Sequence, residues 1–153
     1  MGLYIDKMVC LAMTRASGDA FSVAVRVYYE DTDAAGVVYY ANYLRFMERA
    51  RSDWLRAQLA GPHELAASDK VLFAVRSVAL KFLMPARLDD FLTITAEPTS
   101  IRGASLTFYQ ACWRGKEIMC CGEIDLVCVD AQTFAPRRLP EAIARVLAKT
   151  SDL

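Results

Sequence analysis

Residues 41–59 carry a helical repeat with one unbroken apolar face, and that segment limits the folds open to the chain. Tyr43, Met47, Ala50 and Trp54 recur at i, i+4, i+7 and i+11, which stacks them on one side of a helix. Glu48, Arg49, Arg51 and Asp53 supply the polar remainder. Gly61 and Pro62 end the segment, since glycine suits a helix exit and proline cannot continue one. Such a face must be covered, and the rest of the chain supplies strands to cover it.

Residues 22–29 alternate, with Val23, Val25, Val27 and Tyr29 on one face, which predicts a strand. Val71 to Phe82 is long, β-branched and aromatic, and a turn over 84–90 follows it. Leu92, Ile94 and Ala96 alternate with Thr93, Thr95 and Glu97. Ala104 to Trp113 and Ile118 to Val129 alternate again, joined by a hairpin turn at Arg114-Gly115-Lys116. A short helix from Pro140 to Lys149 closes the chain, with proline at its start. The order is strand, long helix, then four strands in a mostly meandering run. An α+β fold follows, in which an antiparallel sheet of about five strands curls over one helix.

The 153 residues suit one domain over 21–150, preceded by a flexible extension over 1–20 in which Met8 and Met13 are alternative starts. Lys plus Arg and Asp plus Glu both number 18, so no broad field exists to hold nucleic acid or an anionic membrane. No apolar run approaches the roughly 20 residues of a transmembrane helix. The five cysteines are odd in number and form no C-x-x-C pair, which points to a reducing, cytoplasmic setting. Cys112, Cys120 and Cys128 read as small hydrophobes on strands. A single histidine, His63, rules out a histidine-based metal cluster, and no metal site is expected.

The chemistry concentrates between the first strand and the long helix. Glu30, Asp31 and Asp33 crowd one turn, and Gly36 allows a conformation or close approach closed to other residues. A carboxylate beside a helix N-terminus can attack or activate water while free N–H groups hold an oxyanion. Acids before a helix also serve as caps and dipole partners, and local chemistry does not choose among the three.

The run Asp31-Thr-Asp-Ala-Ala-Gly-Val-Val-Tyr-Tyr-Ala-Asn-Tyr43 resembles the signature of the 4-hydroxybenzoyl-CoA thioesterase-like family, in its Tol–Pal-associated, YbgC-type branch. The resemblance extends to Glu48-Arg-Ala-Arg51, Pro85-Ala-Arg-Leu-Asp-Asp90, Arg102-Gly-Ala-Ser-Leu106 and Val127-Cys-Val-Asp130, nearly everything from Val25 to Pro140. It implies a hotdog fold that assembles as a homodimer or homotetramer with interfacial active sites. It implies hydrolysis of acyl-CoA, short-chain aliphatic or aryl, to free acid and CoA, without a cofactor beyond the CoA that enters with the substrate. It assigns catalysis to Asp33 and polarisation of the thioester carbonyl to the backbone N–H of Tyr40. Gly36 and Tyr39 then join the substrate-binding segment.

Many members carry histidine where this chain has Tyr40, so an imidazole role is lost while the backbone role survives. His63, beyond the helix, reads as a solvated loop residue. For the CoA phosphates, Arg102 with Gly103 matches the family's nucleotide-side segment, and Ser105 is a candidate for a pantetheine hydrogen bond. Arg137-Arg138 reads as surface, Glu48 as a salt-bridge partner, and Glu123 and Asp125 as structural or solvated. A dehydratase would need a site histidine. The rival reading is a non-catalytic module binding acyl-CoA or acyl carrier protein, linked to phospholipid metabolism or the Tol–Pal system.

Overall fold

The apolar stripe on residues 41–59 is the centre of the fold. The computed structural model describes residues 6, 8–10, 20–59 and 61–151. Its long helix, α1 (Asn42–Gln58), buries Tyr43, Phe46, Met47, Ala50, Trp54 and Leu55 against one face of a sheet. Each side chain of that size contributes about 1.5–3 kcal/mol when fully buried. The stripe therefore holds α1 in place more firmly than intrinsic helix propensity does.

Five antiparallel strands make the sheet: β1 (Phe21–Arg26), β2 (Val71–Phe82), β3 (Phe91–Arg102), β4 (Ser105–Arg114) and β5 (Glu117–Asp130). Their spatial order is β1-β3-β4-β5-β2, so β3, β4 and β5 form the meander. The first two strands flank it at opposite edges. Leu92, Ile94 and Ala96, then Leu106, Phe108 and Cys112, then Ile124, Leu126 and Cys128 meet the helix in one core. This is the α+β, hotdog architecture expected from the sequence. The close packing of β2 on β5 requires a glycine at position 122, where a Cβ would collide with the carbonyl oxygen of Ala79.

Several boundaries differ from the sequence reading. The first strand stops at Arg26, and Tyr29–Asp31 form a 3-10 turn because the Asp31 carboxylate accepts the Tyr28 N–H at 2.8 Å. Tyr29 is thus exposed rather than on the apolar face. Gly61-Pro62 does more than end α1. Gly61 is the N-cap and Pro62 the first residue of a second helix, α2 (Pro62–Ser68), with Glu64 accepting the Gly61 N–H at 2.7 Å. His63 is exposed as expected, but on this helix and not in a loop. β3 runs through Pro98 by means of a bulge between Pro98 and Ser100. The closing helix is α3 (Glu141–Ser151), which seats Ile143 and Leu147 in the core.

The expected N-terminal extension lies mostly outside the described residues. Within it, residues 6 and 8–10 are helical, and Asp6 pairs with Lys81 at 2.8 Å. Cys10 is joined to Cys121, a pairing that the count and spacing of the cysteines did not anticipate. Cys112, Cys120 and Cys128 are free and buried, as small hydrophobes are. Among the described residues no helix is long and apolar enough to cross a membrane.

Candidate active site

The segment between β1 and α1 is a small hairpin with Asp33 at its tip. Thr32 bridges Val38, the Asp33 N–H donates to the Val37 carbonyl at 2.9 Å, and the Gly36 N–H donates to the Asp33 carbonyl at 3.0 Å. Gly36 adopts φ +76 with open space around it, so conformation and not crowding demands glycine there. The turn over 85–90 braces the hairpin from below. Val37 bridges Arg87, the Val38 N–H donates to the Ala86 carbonyl at 2.8 Å, and the Tyr43 hydroxyl accepts the Ala86 N–H at 3.1 Å. Burial raises the Tyr43 phenol to about 12, so it remains a neutral strut.

The three acids separate by environment. Asp31 is buried, and its carboxylate closes the 3-10 turn. Its carbonyl accepts the Tyr39 N–H and the Asn42 side-chain amide, both at 2.9 Å. Asp31 therefore fixes the hairpin to the first turn of α1. Asp33 is exposed, and its Oδ1 accepts the Ala35 N–H at 2.8 Å. Its Oδ2 makes no hydrogen bond among the described residues. Glu30 is exposed on the 3-10 turn.

Tyr39 and Tyr40 follow, both exposed, with ring centroids 4.9 Å apart. The Tyr40 hydroxyl beside Tyr39 raises the Tyr39 phenol above its ordinary range. Tyr40 also sets its ring edge-on to Phe82 at 6.2 Å, at the end of β2. The Tyr40 N–H, just before α1, makes no hydrogen bond among the described residues. Asp33 and Tyr40 thus lie on one pinned loop, the first offering a carboxylate oxygen and the second a backbone donor.

Arg102, Gly103 and Ser105 lie elsewhere. They form the β3–β4 turn, where Gly103 has φ +62 and Arg102 pairs with Ser105 in register. Strand β3 starts at Phe91, beside the Asp90 turn that braces the hairpin, and ends at Arg102. Twelve strand residues span roughly 35–40 Å. One protomer does not bring these residues to Asp33. The Ser105 hydroxyl accepts from Arg76 at 3.1 Å, and Arg102 is exposed. Arg137 is no loose surface cation, since it holds Asp130 at 3.4 Å and the carbonyls of Asp69 and Lys70. Asp125 accepts from Thr107 at 2.6 Å and Ser77 at 2.8 Å, a structural role. Glu48 accepts from Ser52 at 2.6 Å and, among the described residues, forms no salt bridge.

Sequence reasoning missed Arg51. Assigned to the polar face, it is only 9% exposed, and its Nη1 donates to Gln110 Oε1 at 2.7 Å. Burial lowers its pKa, partly offset by Glu48. The sequence held one clue: Gln110 is the polar residue on the helix-facing side of β4, between Phe108 and Cys112.

A five-stranded antiparallel sheet folded over one helix, with an acid-tipped hairpin at the helix start, places the chain in the hotdog class of thioesterase folds. The family model of the Thioesterase superfamily matches residues 35–121. Acyl-CoA thioester hydrolase YbgC of Escherichia coli O6:H1 is 46% identical over 124 residues, spanning 80% of this chain and 92% of that one. Acyl-CoA thioesterase YbgC of Haemophilus influenzae is 37% identical over 125 residues, 82% and 92% of the two chains. A crystal structure of a probable thioesterase from Bartonella henselae superposes with a TM-score of 0.76 at 33% identity, covering 80% of this chain and all of that one. The chain belongs to the thioesterase superfamily and, within it, to the YbgC type.

Proposed function

We propose that the protein hydrolyses acyl-CoA thioesters to free acid and CoA, with the Asp33 carboxylate as the reacting group. The observation that carries this is that one hydrogen-bonded loop holds both an Asp33 oxygen and a Tyr40 N–H that make no hydrogen bond among the described residues. The N–H, at the positive end of α1, would hold the carbonyl oxygen as it gains negative charge. Asp33 Oδ2 then acts in one of two ways. As nucleophile it bonds to the carbonyl carbon, the C–S bond breaks, CoA leaves as thiolate, and water hydrolyses the mixed anhydride. As general base it takes a proton from water, whose oxygen attacks the carbon. A thiolate leaves without a strong acid, which suits a site with no histidine near it.

The same reading makes the protein a dimer or a dimer of dimers. β2 is a sheet edge of 12 residues with Val75, Val78 and Phe82 exposed, an edge that a second copy would cap. A two-fold pairing along β2 would carry Arg102, Gly103 and Ser105 of one copy to the end of the sheet where Asp33 of the other stands. Arg102 is then free to meet CoA phosphate, and Tyr39 and Gly36 to line the pantetheine path. CoA enters as part of the substrate, and no separate cofactor or metal is invoked. An acyl-carrier-protein thioester is a second substrate form, and the cytoplasm, which holds acyl-CoA, is the setting. The test is acyl-CoA hydrolysis followed by released thiol. Asp33→Asn is expected to lower kcat at least a hundredfold while binding substrate, and a wild-type rate in that variant would exclude this mechanism.

A further inference from the structure

We propose that Cys10 and Cys121 are a reversible thiol–disulfide pair that works a strap. Oxidised, the pair ties the N-terminal residues 6 and 8–10 to the outer face of the sheet; reduced, it lets them go. Neither cysteine belongs to the Asp33 loop, so the inference stands apart from the thioesterase reading. The two Cα atoms are 6.3 Å apart, within the roughly 4.4–6.8 Å that a disulfide spans without moving the backbone.

Tyr109 and Ala111 of β4 point to the side of the sheet opposite Phe108 and Cys112, which face α1. With Ile118 and Cys121 of β5 they form a second apolar cluster, flanked by Leu83 and Trp113, and Cys10 sits in it. The Tyr109 hydroxyl is buried there without a hydrogen-bond partner among the described residues. Water would pair that group, so the closed cluster is kept against a cost.

The strap has few holds besides the bond. Cys10 is 4% exposed, but Met8 is 51% and Val9 55% exposed, so the cysteine is the residue of the three that seats in the sheet. Asp6 meets Lys81 at 2.8 Å, and an ion pair open to solvent holds little. Lys81 stands opposite Cys121 in the β2–β5 register, so both attachments fall on one rung of the sheet. A segment held this way opens locally, and the opening admits a small thiol to the sulfurs.

The chemistry is exchange with a low-molecular-weight disulfide such as oxidised glutathione. One protein thiolate attacks a sulfur of that disulfide, forms a mixed disulfide and releases one glutathione thiolate. The second protein thiolate then displaces the other glutathione and closes the Cys10–Cys121 bond. Two protein thiols are oxidised, one disulfide is reduced to two thiols, and the two protons pass to the departing thiolates. Cys112, Cys120 and Cys128 stay out of it. All three are buried, and burial pushes the Cys120 thiol up to about 12 and raises the other two, so their thiolates are scarce.

The test equilibrates the full chain at graded ratios of oxidised to reduced glutathione, traps thiols by alkylation and maps the peptides by mass. Cys10 and Cys121 are expected to leave the thiol pool together and to appear in one cross-linked peptide, while Cys112, Cys120 and Cys128 remain alkylatable after denaturation. Hydrogen exchange in the peptide carrying Met8 to Cys10 should speed by about tenfold on reduction. The melting temperature should fall by about 5 °C, since the bond closes a long loop of the unfolded chain. Cys10→Ser should match the reduced wild type in both measurements and ignore the glutathione ratio. Equal protection of that peptide in oxidised wild type, reduced wild type and Cys10→Ser would show a strap held without the bond. A bond that survives excess dithiothreitol in the folded protein would be a fixed staple, and one that forms at no glutathione ratio would remove the pair. Any of these three results overturns the inference.

Discussion

The Arg51 guanidinium donates to Gln110 Oε1 at 2.7 Å beneath the central helix, and Gln110 spends its own amide on the carbonyls of Met47 at 3.0 Å and Thr95 at 3.1 Å. Helix and sheet are thereby tied by one glutamine with no exposed surface. Gln110→Leu keeps the volume but leaves a buried cation without its acceptor. The expected cost is about 3 kcal/mol, because unpairing a buried charge is worse than never burying it. For a chain of this size that lowers Tm by about 10 °C. The double variant Arg51→Leu, Gln110→Leu should recover much of the loss. Urea unfolding of both checks this, and equal losses would show that the pair does not act as a unit.

Asp31 and Asp33, two residues apart, should fail differently. The Asp31 carboxylate holds the Tyr28 N–H at 2.8 Å inside the loop, whereas Asp33 makes a single local bond to Ala35. Asp31→Ala is expected to cost about 1–2 kcal/mol of stability through the lost turn bond. Asp33→Asn should leave the melting temperature within about 2 °C while abolishing turnover. Thermal melts beside a hydrolysis assay separate the two, and the opposite assignment would move the reacting carboxylate to Asp31.

That distinction was only partly legible in the sequence. The periodic elements were readable, since strand and helix repeats appear directly in residues such as Tyr43, Met47, Ala50 and Trp54. The edge positions of β1 and β2 were not, because strand order depends on pairings such as Val71 with Asp130, distant in sequence. Gly61-Pro62 stops one helix and starts another by the same chemistry, so α2 was hidden. Locally, Asp31 and Asp33 are two acids in one turn. Only the resemblance chose between them, and the hydrogen bonds show that the Asp31 carboxylate closes the 3-10 turn. Arg51 escaped because an arginine beside Glu48 and Arg49 looks solvated until Gln110 is placed opposite it.

Acid should loosen the brace beneath the site. Burial pushes the Asp90 carboxyl up, but the Arg87 N–H at 2.8 Å and the Arg114 guanidinium at 2.9 Å outweigh it and hold the group below its usual range. A carboxylate with a depressed native pKa contributes stability that is full above the unfolded value, about 3.9, and is lost as pH falls through the native one. Unfolding free energy should therefore decline from about pH 4 downwards. Asp90→Asn should be less stable at pH 7 and show a shallower acid limb. Urea titrations across pH 2–7 test it, and parallel limbs for the two proteins would remove Asp90 from the account.

Tyr40 separates backbone chemistry from side-chain chemistry. The residue is 62% exposed and its ring lies beside that of Tyr39, while the N–H that would meet the thioester oxygen belongs to the main chain. A preorganised donor of that kind is worth a few kcal/mol wherever charge develops, and it is indifferent to the side chain attached. Tyr40→Phe should therefore keep kcat within about threefold. Tyr40→His, which installs the residue many family members carry, should do the same at pH 7, and its pH profile should show no new limb near the ordinary histidine pKa of about 6.5. A tenfold gain in the histidine variant, with such a limb, would show that an imidazole can transfer a proton at this site. The native enzyme would then be working without a group its loop has room to hold.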